Sequence, residues 1–196
     1  MGYHRAGFEV VGVDIKPQPH YPFEFHQADA LTFPLGGFDA YHASPPCQAY
    51  VDANRNGLRP TNHPRLIEPI RDRLGSHVYV IENVHKAPLY ASLMLCGTMF
   101  GLRVFRHRYF EFSFAGPFSP FTCHHWGNIC DGQFVGAYAR GGKGHRHGHG
   151  IRDPKPLPPH VTKGEAMGIN WMTDKELDQA IPPAYTEYIG KHLLGG

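Results

Sequence analysis

The sequence predicts an α/β fold, in which helices flank an open, mostly parallel sheet and a small loop-rich insert follows. Short apolar runs that end at polar residues recur through residues 1–115, as buried parallel strands do. A segment with apolar residues at helical spacing separates two of these runs. Residues 116–160 are instead rich in Gly, Pro, His and aromatic side chains and have no sustained period. Alternating strands and helices favour the α/β class, and the irregular region favours an insert.

Four strands are predicted, in residues 8–14, 38–44, 78–84 and 106–113. The first is apolar and ends at Asp14. The second runs directly into Pro45 and Pro46, which stop a strand and stiffen the turn that follows. The third ends with Glu82 and Asn83. Because open α/β sheets bind ligands at the carboxyl ends of their strands, these polar strand ends are where we expect the functional side chains.

Helices are predicted in residues 64–74, 88–100 and 183–194. Gly75 marks the end of the first, and Pro183 lies in the first turn of the last. Two shorter helices should begin at Thr162 and Thr173, each of which has a Glu three residues later, the spacing of a capping box. The domain organisation predicted is a catalytic α/β part in residues 1–115, an insert in 116–160, and helices in 161–196 that return to the catalytic domain.

The composition limits the class of protein. A chain of 196 residues, 41% of them hydrophobic, can form one domain with a core. No apolar stretch approaches the roughly 18 residues of a membrane helix and there is no secretory signal, so we expect no membrane partner and a cytoplasmic protein. The formal net charge is only +2, so nucleic-acid binding would depend on local charge clusters.

Cys47 and Glu82 are the strongest candidates for catalysis. Cys47 follows the double proline at a predicted strand end, and a long polar loop comes after it. A half-buried structural cysteine is the alternative. Glu82 ends an apolar strand, where an unpaired carboxylate would be costly to bury. The alternative there is a helix-capping or salt-bridged glutamate.

Arg106 and Arg108 alternate along the fourth predicted strand, so their side chains should point to the same side. Paired guanidinium groups suit a phosphate or a base carbonyl oxygen. Two surface arginines on an edge strand are the alternative.

Taken in order, residues 44–48 (Ser-Pro-Pro-Cys-Gln), 82–84 (Glu-Asn-Val) and 106–108 (Arg-His-Arg) resemble the motif set of cytosine-C5 DNA methyltransferases of the small bacterial or phage type. Residues 165–170 resemble the family's late Ala-Met-Gly segment, and residues 180–190 its final cofactor-side helix. The resemblance covers most of the chain except the insert. It implies a Rossmann-like, S-adenosylmethionine-dependent methyltransferase sheet in a bacterial or phage-infected cell.

The resemblance also implies roles for the candidate residues. The Cys47 thiolate would add to C6 of a flipped cytosine in double-stranded DNA, and C5 would then take the methyl group. Glu82 would hold the N3 and N4 edge of the base. Arg108 would support the O2 side, with Arg106 beside it. The remaining residues expected to bind the substrate are Pro46, Gln48, Asn83, Arg55 and Arg59.

The cofactor S-adenosylmethionine is expected at the ends of the first strands. Asp14 lies where a strand-end carboxylate can bind ribose hydroxyls, and Asp29 matches the family position that meets the adenine amino group. Ile15, Ala30 and Pro45 complete the expected cofactor contacts. Taken alone, each aspartate fits an ordinary turn residue somewhat better than a cofactor ligand.

The sequence departs from the family at its beginning, because it has neither the opening strand nor the Gly-rich Phe-x-Gly-x-Gly loop. Residues 1–8 resemble the end of the helix that follows that loop. That strand is central to the family's sheet, so its loss should expose the edges of two neighbouring strands. We expect that the true chain starts further upstream. The alternative is a truncated, inactive remnant.

The insert is expected to be the target-recognition region. Arg140, Lys143, Arg146 and Arg152 could follow a DNA backbone, and Gln133 or Asn128 could read base edges. Cys123, His124 and His125 with Cys130 suggest zinc, but the spacing fits no standard pattern, so the sequence predicts no metal.

Three functions fit the sequence. The first is a monomeric DNA cytosine-C5 methyltransferase serving restriction-modification or a related role. The second is the same fold methylating cytosine in RNA. The third is a non-enzyme, either a decayed remnant or a DNA-binding module without cofactor. Cys47 and Glu82 together argue against the third, and the absent Gly-rich loop argues for it.

Overall fold

The computed structural model describes residues 1–50, 63–116, 122–125, 134–135 and 161–195. Within these residues the protein is a mixed α/β structure with two small sheets and five α-helices. The strands are β1 Val11–Asp14, β2 Glu24–Gln27, β3 Tyr41–Ala43, β4 Tyr79–Asn83, β5 Leu93–Leu95 and β6 Arg108–Phe112. The helices are α1 Gly2–Ala6, α2 Ile67–Leu74, α3 Lys163–Met167, α4 Asp174–Leu177 and α5 Pro183–Leu193. None of the helices in these described ranges is both long and apolar enough to cross a membrane.

One of the two sheets is mixed and departs from the expectation of a mostly parallel sheet in a single strand, β6, which runs against the other three. One sheet pairs β1 with β2 in parallel. The other has the order β3-β4-β6-β5, in which β3 and β4 are parallel and β6 is antiparallel to both of its neighbours. A parallel pair needs a long crossover, usually a helix. The connection from β5 to β6 instead contains a short 3-10 turn, Gly97–Phe100, and the chain returns in the opposite direction.

Two local predictions were wrong. Residues 88–100, predicted as a helix, contain β5 and the 3-10 turn. A short apolar run such as Leu93-Met94-Leu95 has no period that separates strand from helix, and pairing with β6 decides its conformation. Strand β2 was missed because it is mostly polar and exposed, and parallel pairing with β1 holds it. The predicted strands at 8–14, 38–44, 78–84 and 106–113 are confirmed as shorter strands.

The predicted C-terminal helices are confirmed, including both capping boxes. Helix α5 packs closely on α1, because a Cβ added to Gly190 would lie 2.8 Å from the Ala6 Cβ. On its other side α5 buries Tyr185 and Ile189 in a core that also contains Val80 of β4 and Phe110 of β6. The C-terminal helix therefore supports β4 and β6, two of the strands that carry the candidate active site.

Candidate active site

The turn that carries Cys47 is fixed to the end of the neighbouring strand. Strands β3 and β4 are parallel neighbours, so their carboxyl ends lie at the same edge of the sheet. The Asn83 side-chain amide donates to the backbone carbonyl of Pro45, with a distance of 2.9 Å from Nδ2 to O, and its Oδ1 accepts from the Val84 N–H at 3.0 Å. Pro45 is buried, and the partly exposed Cys47 opens a short 3-10 turn, Cys47–Ala49. Asn83 thus positions the thiol relative to the end of β4.

Glu82 forms a buried ion pair with Arg108. The distance from Arg108 Nε to Glu82 Oε1 is 2.8 Å, and the side chains are 17% and 7% exposed respectively. The antiparallel pairing of β4 with β6 places these two strands side by side. Burial raises the pKa of Glu82 above its ordinary value, although the charges of Arg108 and Arg106 and a hydrogen bond from Ser44 act in the opposite direction. The carboxyl group is therefore poised to hold or donate a proton.

Arg106 lies just before β6 and is almost completely buried, with 2% of its surface exposed. Its guanidinium Nη2 donates to the backbone carbonyl of Asp178 at 2.9 Å, and its own carbonyl accepts from the Tyr185 hydroxyl at 2.6 Å. Burial and the Arg108 charge lower the pKa of Arg106 to about 10. Both arginines are largely enclosed and β6 lies between β4 and β5, so the alternative of two surface arginines on an edge strand is wrong.

The candidate cofactor residues lie at the carboxyl ends of β1 and β2. Asp14 ends β1, and its carboxylate accepts from the Lys16 N–H at 2.8 Å and from the Gln18 amide at 3.2 Å. Asp29 follows β2, and its Oδ1 accepts from the Leu31 N–H at 2.9 Å. Each aspartate therefore forms the local hydrogen bonds that are typical of an ordinary turn residue. The parallel pairing nevertheless brings the two to one edge, together with Ile15, which is 65% exposed, and the exposed Ala30.

Of the remaining predicted substrate residues, Pro46 and Gln48 lie within the described ranges. Pro46 is exposed and Gln48 is partly buried beside Cys47. Arg55 and Arg59 lie outside the described residues. The same is true of the residues proposed to read or follow DNA in the insert, and of Cys130.

Sequence reasoning missed two features. Ser44 is part of the recognised motif, but its hydrogen bond to Glu82 depends on the approach of β3 to β4. The second feature is a cluster formed by Cys96, His107, Cys123 and His125. Its members are spread along the chain, so no short motif contains them. The signals available in the sequence were Cys96 after one strand and His107 before the next.

A scan against models of protein families finds no match to this chain, and a search of curated proteins finds none. The assignment of function therefore depends on the residues and their geometry.

Proposed function

We propose that this protein is an S-adenosylmethionine-dependent methyltransferase that acts on C5 of cytosine in double-stranded DNA, with Cys47 as its nucleophile. The observation that carries the proposal is the joining of three sequence motifs at one sheet edge. Asn83 holds the Cys47 turn through Pro45, and the ion pair of Glu82 with Arg108 joins the second motif to the third. No two of these motifs are close in sequence, so their meeting is not a consequence of chain proximity.

The side chains supply the steps of base activation. The Cys47 thiolate adds to C6 of the cytosine, while Glu82 donates a proton to N3, so the electron pair of the C5–C6 double bond becomes available at C5. The cofactor supplies an electrophilic methyl group. Loss of the C5 proton to a base and return of the N3 proton to Glu82 then restore the double bond and expel the Cys47 thiolate. The raised pKa of Glu82 suits this role, because a carboxyl group that retains its proton can act as the acid at N3.

The arginines complete the recognition of the base in this proposal. Arg108 contacts Glu82 and can hold the O2 side of the ring while keeping the carboxyl group oriented. Arg106 donates to the Asp178 carbonyl and its own carbonyl accepts from the Tyr185 hydroxyl, so its role is to support the Arg108 segment from within the core. A base can reach this edge only after it leaves the duplex, so the proposal includes base flipping.

The residues at the ends of β1 and β2 fit the adenosyl part of the cofactor. Two carboxylates, Asp14 and Asp29, suit ribose hydroxyls and an adenine amino group, and the exposed Ile15 side chain offers an apolar surface for the adenine ring. The sheet order is compatible with a Rossmann-like methyltransferase. In such a fold a central strand lies between β1 and β3, and within the described residues each of these strands has a single partner strand.

Hydrogen exchange at C5 tests the proposal without requiring the cofactor. Addition of Cys47 to C6 lets solvent protons replace a tritium label at C5 of cytosine in a duplex. We expect tritium release by the wild-type chain and none by Cys47→Ser, whereas Cys130→Ser should behave as wild type. Methyl transfer to DNA and to tRNA should then be compared, with DNA as the expected acceptor. Exchange that persists in Cys47→Ser would exclude Cys47 as the nucleophile.

A further inference from the structure

Four metal-ligating side chains converge beside the active site from separate parts of the chain. Cys96 directly follows β5, and His107 directly precedes β6. Cys123 and His125 come from residues 122–125, the first described piece of the region predicted as an insert. Each offers one ligand atom, and the four atoms all lie within 4.8 Å of one another.

Four of the distances between these atoms are within about 0.5 Å of the edges of one coordination tetrahedron. The two histidine Nε2 atoms are 3.0 Å apart. The Cys123 Sγ lies 3.1 Å from His125 Nε2 and 3.4 Å from His107 Nε2, and the Cys96 Sγ lies 3.4 Å from His125 Nε2. A tetrahedral zinc ion, with bonds of about 2.0–2.1 Å to nitrogen and about 2.3 Å to sulfur, requires edges of about 3.3 Å and about 3.6 Å for these pairs.

We propose that Cys96, His107, Cys123 and His125 form a structural zinc site. Two thiolates and two imidazoles are a donor set that favours zinc, and four protein ligands leave no open position for a substrate. Such spacing suits a single ion, whereas a two-iron cluster holds its cysteine and histidine ligands on different metals and further apart. This proposal differs from the expectation of no metal, which depended on Cys123–His125 and Cys130 alone.

Neighbouring side chains orient three of the four ligands. Phe134, Phe105, His125 and His107 form a continuous stack of rings, with centroids 4.3, 4.4 and 4.9 Å apart in that order. This stack fixes the planes of both imidazoles. The Thr98 hydroxyl donates to the Cys96 Sγ at 3.3 Å, as the outer partner of a metal ligand commonly does.

The site has a structural consequence for the active site. His107 lies between Arg106 and Arg108, so a bound ion would fix the segment from which both arginines project. It would also tie residues 122–125 to the start of β6. His107 is in this sense a positioning residue. The proposal does not depend on methyl transfer, because metal binding is measured on its own.

Metal analysis of the purified full chain in reducing buffer tests the proposal. We expect one zinc per chain after incubation with zinc and dialysis. X-ray absorption should show two sulfur ligands at about 2.3 Å and two nitrogen ligands at about 2.0–2.1 Å. Cobalt in place of zinc should give sulfur-to-metal charge transfer and the intense visible bands of tetrahedral cobalt. These spectra are measured on the wild type, so they stay informative if a variant fails to fold.

Variants identify the ligands. In competition with a chelator, Cys96→Ser, Cys123→Ser, His107→Gln and His125→Gln should each lose more than about 100-fold in zinc affinity, and Thr98→Ala about 10-fold. The matched controls His124→Gln and Cys130→Ser should bind as the wild type does. Absence of stoichiometric metal, iron in place of zinc, or loss of zinc in Cys130→Ser would overturn the proposal.

Discussion

Glu82 and Glu111 are two buried glutamates on neighbouring strands, and each is paired with an arginine, yet their pKa values shift in opposite directions. In the pairing of β4 with β6, Glu111 lies opposite Ile81 and Glu82 lies opposite Phe110. Because side chains alternate along a strand, the two carboxylates point to opposite faces of one sheet. The difference between them therefore comes from what each face provides.

Glu111 is surrounded by donors. Arg71 contacts both carboxylate oxygens, from Nε at 2.7 Å and from Nη2 at 2.8 Å. The Tyr90 N–H donates at 2.8 Å and the Tyr79 hydroxyl at 3.2 Å. Burial alone would raise the pKa of Glu111, but these contacts outweigh it and hold the pKa below its ordinary value. Glu111 is thus a structural group whose contacts favour its charged form.

Glu82 has fewer compensating contacts. Its ion pair with Arg108 and its hydrogen bond from Ser44 do not offset burial, so its pKa is raised. The comparison shows that pairing with an arginine does not by itself define the role of a buried glutamate. A carboxylate with every oxygen satisfied stabilises the fold, whereas one with a raised pKa can exchange a proton with a bound base.

The largest expected effect is on catalysis. Glu82→Gln should lower the rate of methyl transfer about 1000-fold, because the amide cannot protonate N3 of cytosine. Glu111→Gln should leave the rate per folded molecule unchanged. Single-turnover assays at a temperature where both variants are folded measure this difference. An equal decrease in the rate of methyl transfer in both variants would contradict the different roles assigned to the two glutamates.

The free energy of unfolding should be affected more by Glu111→Gln than by Glu82→Gln, the reverse of the order expected for the rate. Glu111→Gln should lower the free energy of unfolding by about 3–5 kcal/mol, since it leaves the buried Arg71 without its counter-charge. Glu82→Gln should change it by less than about 1 kcal/mol, because removal of a carboxylate that burial disfavours offsets the lost ion pair. Urea denaturation with a common slope checks both values.

The pH dependence of stability should also separate the two groups. The folded pKa of Glu111 is below the ordinary 4.5, so its contribution is present above pH 4.5 and is lost as the pH falls through the folded pKa. The folded pKa of Glu82 is above 4.5, so the protein loses stability from this group as the pH rises from 4.5 through that value. Calorimetry from about pH 3 to about pH 8 checks both effects. In Glu111→Gln, stability should rise less steeply as the pH increases through the acidic range. In Glu82→Gln, the decrease in stability above pH 4.5 should disappear.

The smallest effects test single hydrogen bonds to each carboxylate. Tyr79→Phe removes one donor to Glu111 and should cost about 1.5 kcal/mol. Ser44→Ala removes the hydroxyl that lowers the pKa of Glu82, so that pKa should rise further with little change in stability. Carboxyl titration by NMR measures the second effect. An unchanged or lower pKa of Glu82 would contradict the assigned contact.

The sequence alone predicts the active-site edge better than it predicts the sheet. Glu82 directly follows an apolar run, and Cys47 follows a strand that a double proline ends, so local pattern is sufficient to place both near strand ends. Glu111 gave no comparable signal, because its partner Arg71 is on α2 and the contact depends on how that helix packs across β4 and β6. Strand β5 has the same limitation, since only its pairing with β6 distinguishes it from a helix.

The four residues of the proposed zinc site show the limit most clearly. Their spacing along the chain follows no motif, and Cys96 and His107 become neighbours only because β5 and β6 are antiparallel. A sequence pattern can identify a cluster when one turn holds it, as at residues 123–125. A sequence pattern cannot identify a cluster whose members come together only through strand pairing, because the pairing is not known from the sequence.

Covalent capture of the chain on a duplex that contains 5-fluorocytosine tests the central claim most directly. Fluorine at C5 cannot leave as a proton does, so after methyl transfer the adduct of Cys47 with C6 is retained. We predict a protein–DNA adduct in the presence of S-adenosylmethionine, with peptide mass spectrometry locating it on Cys47, and no adduct with Cys47→Ser. An adduct on another residue, or the absence of any adduct from a wild-type chain that exchanges hydrogen at C5, would contradict the proposed mechanism.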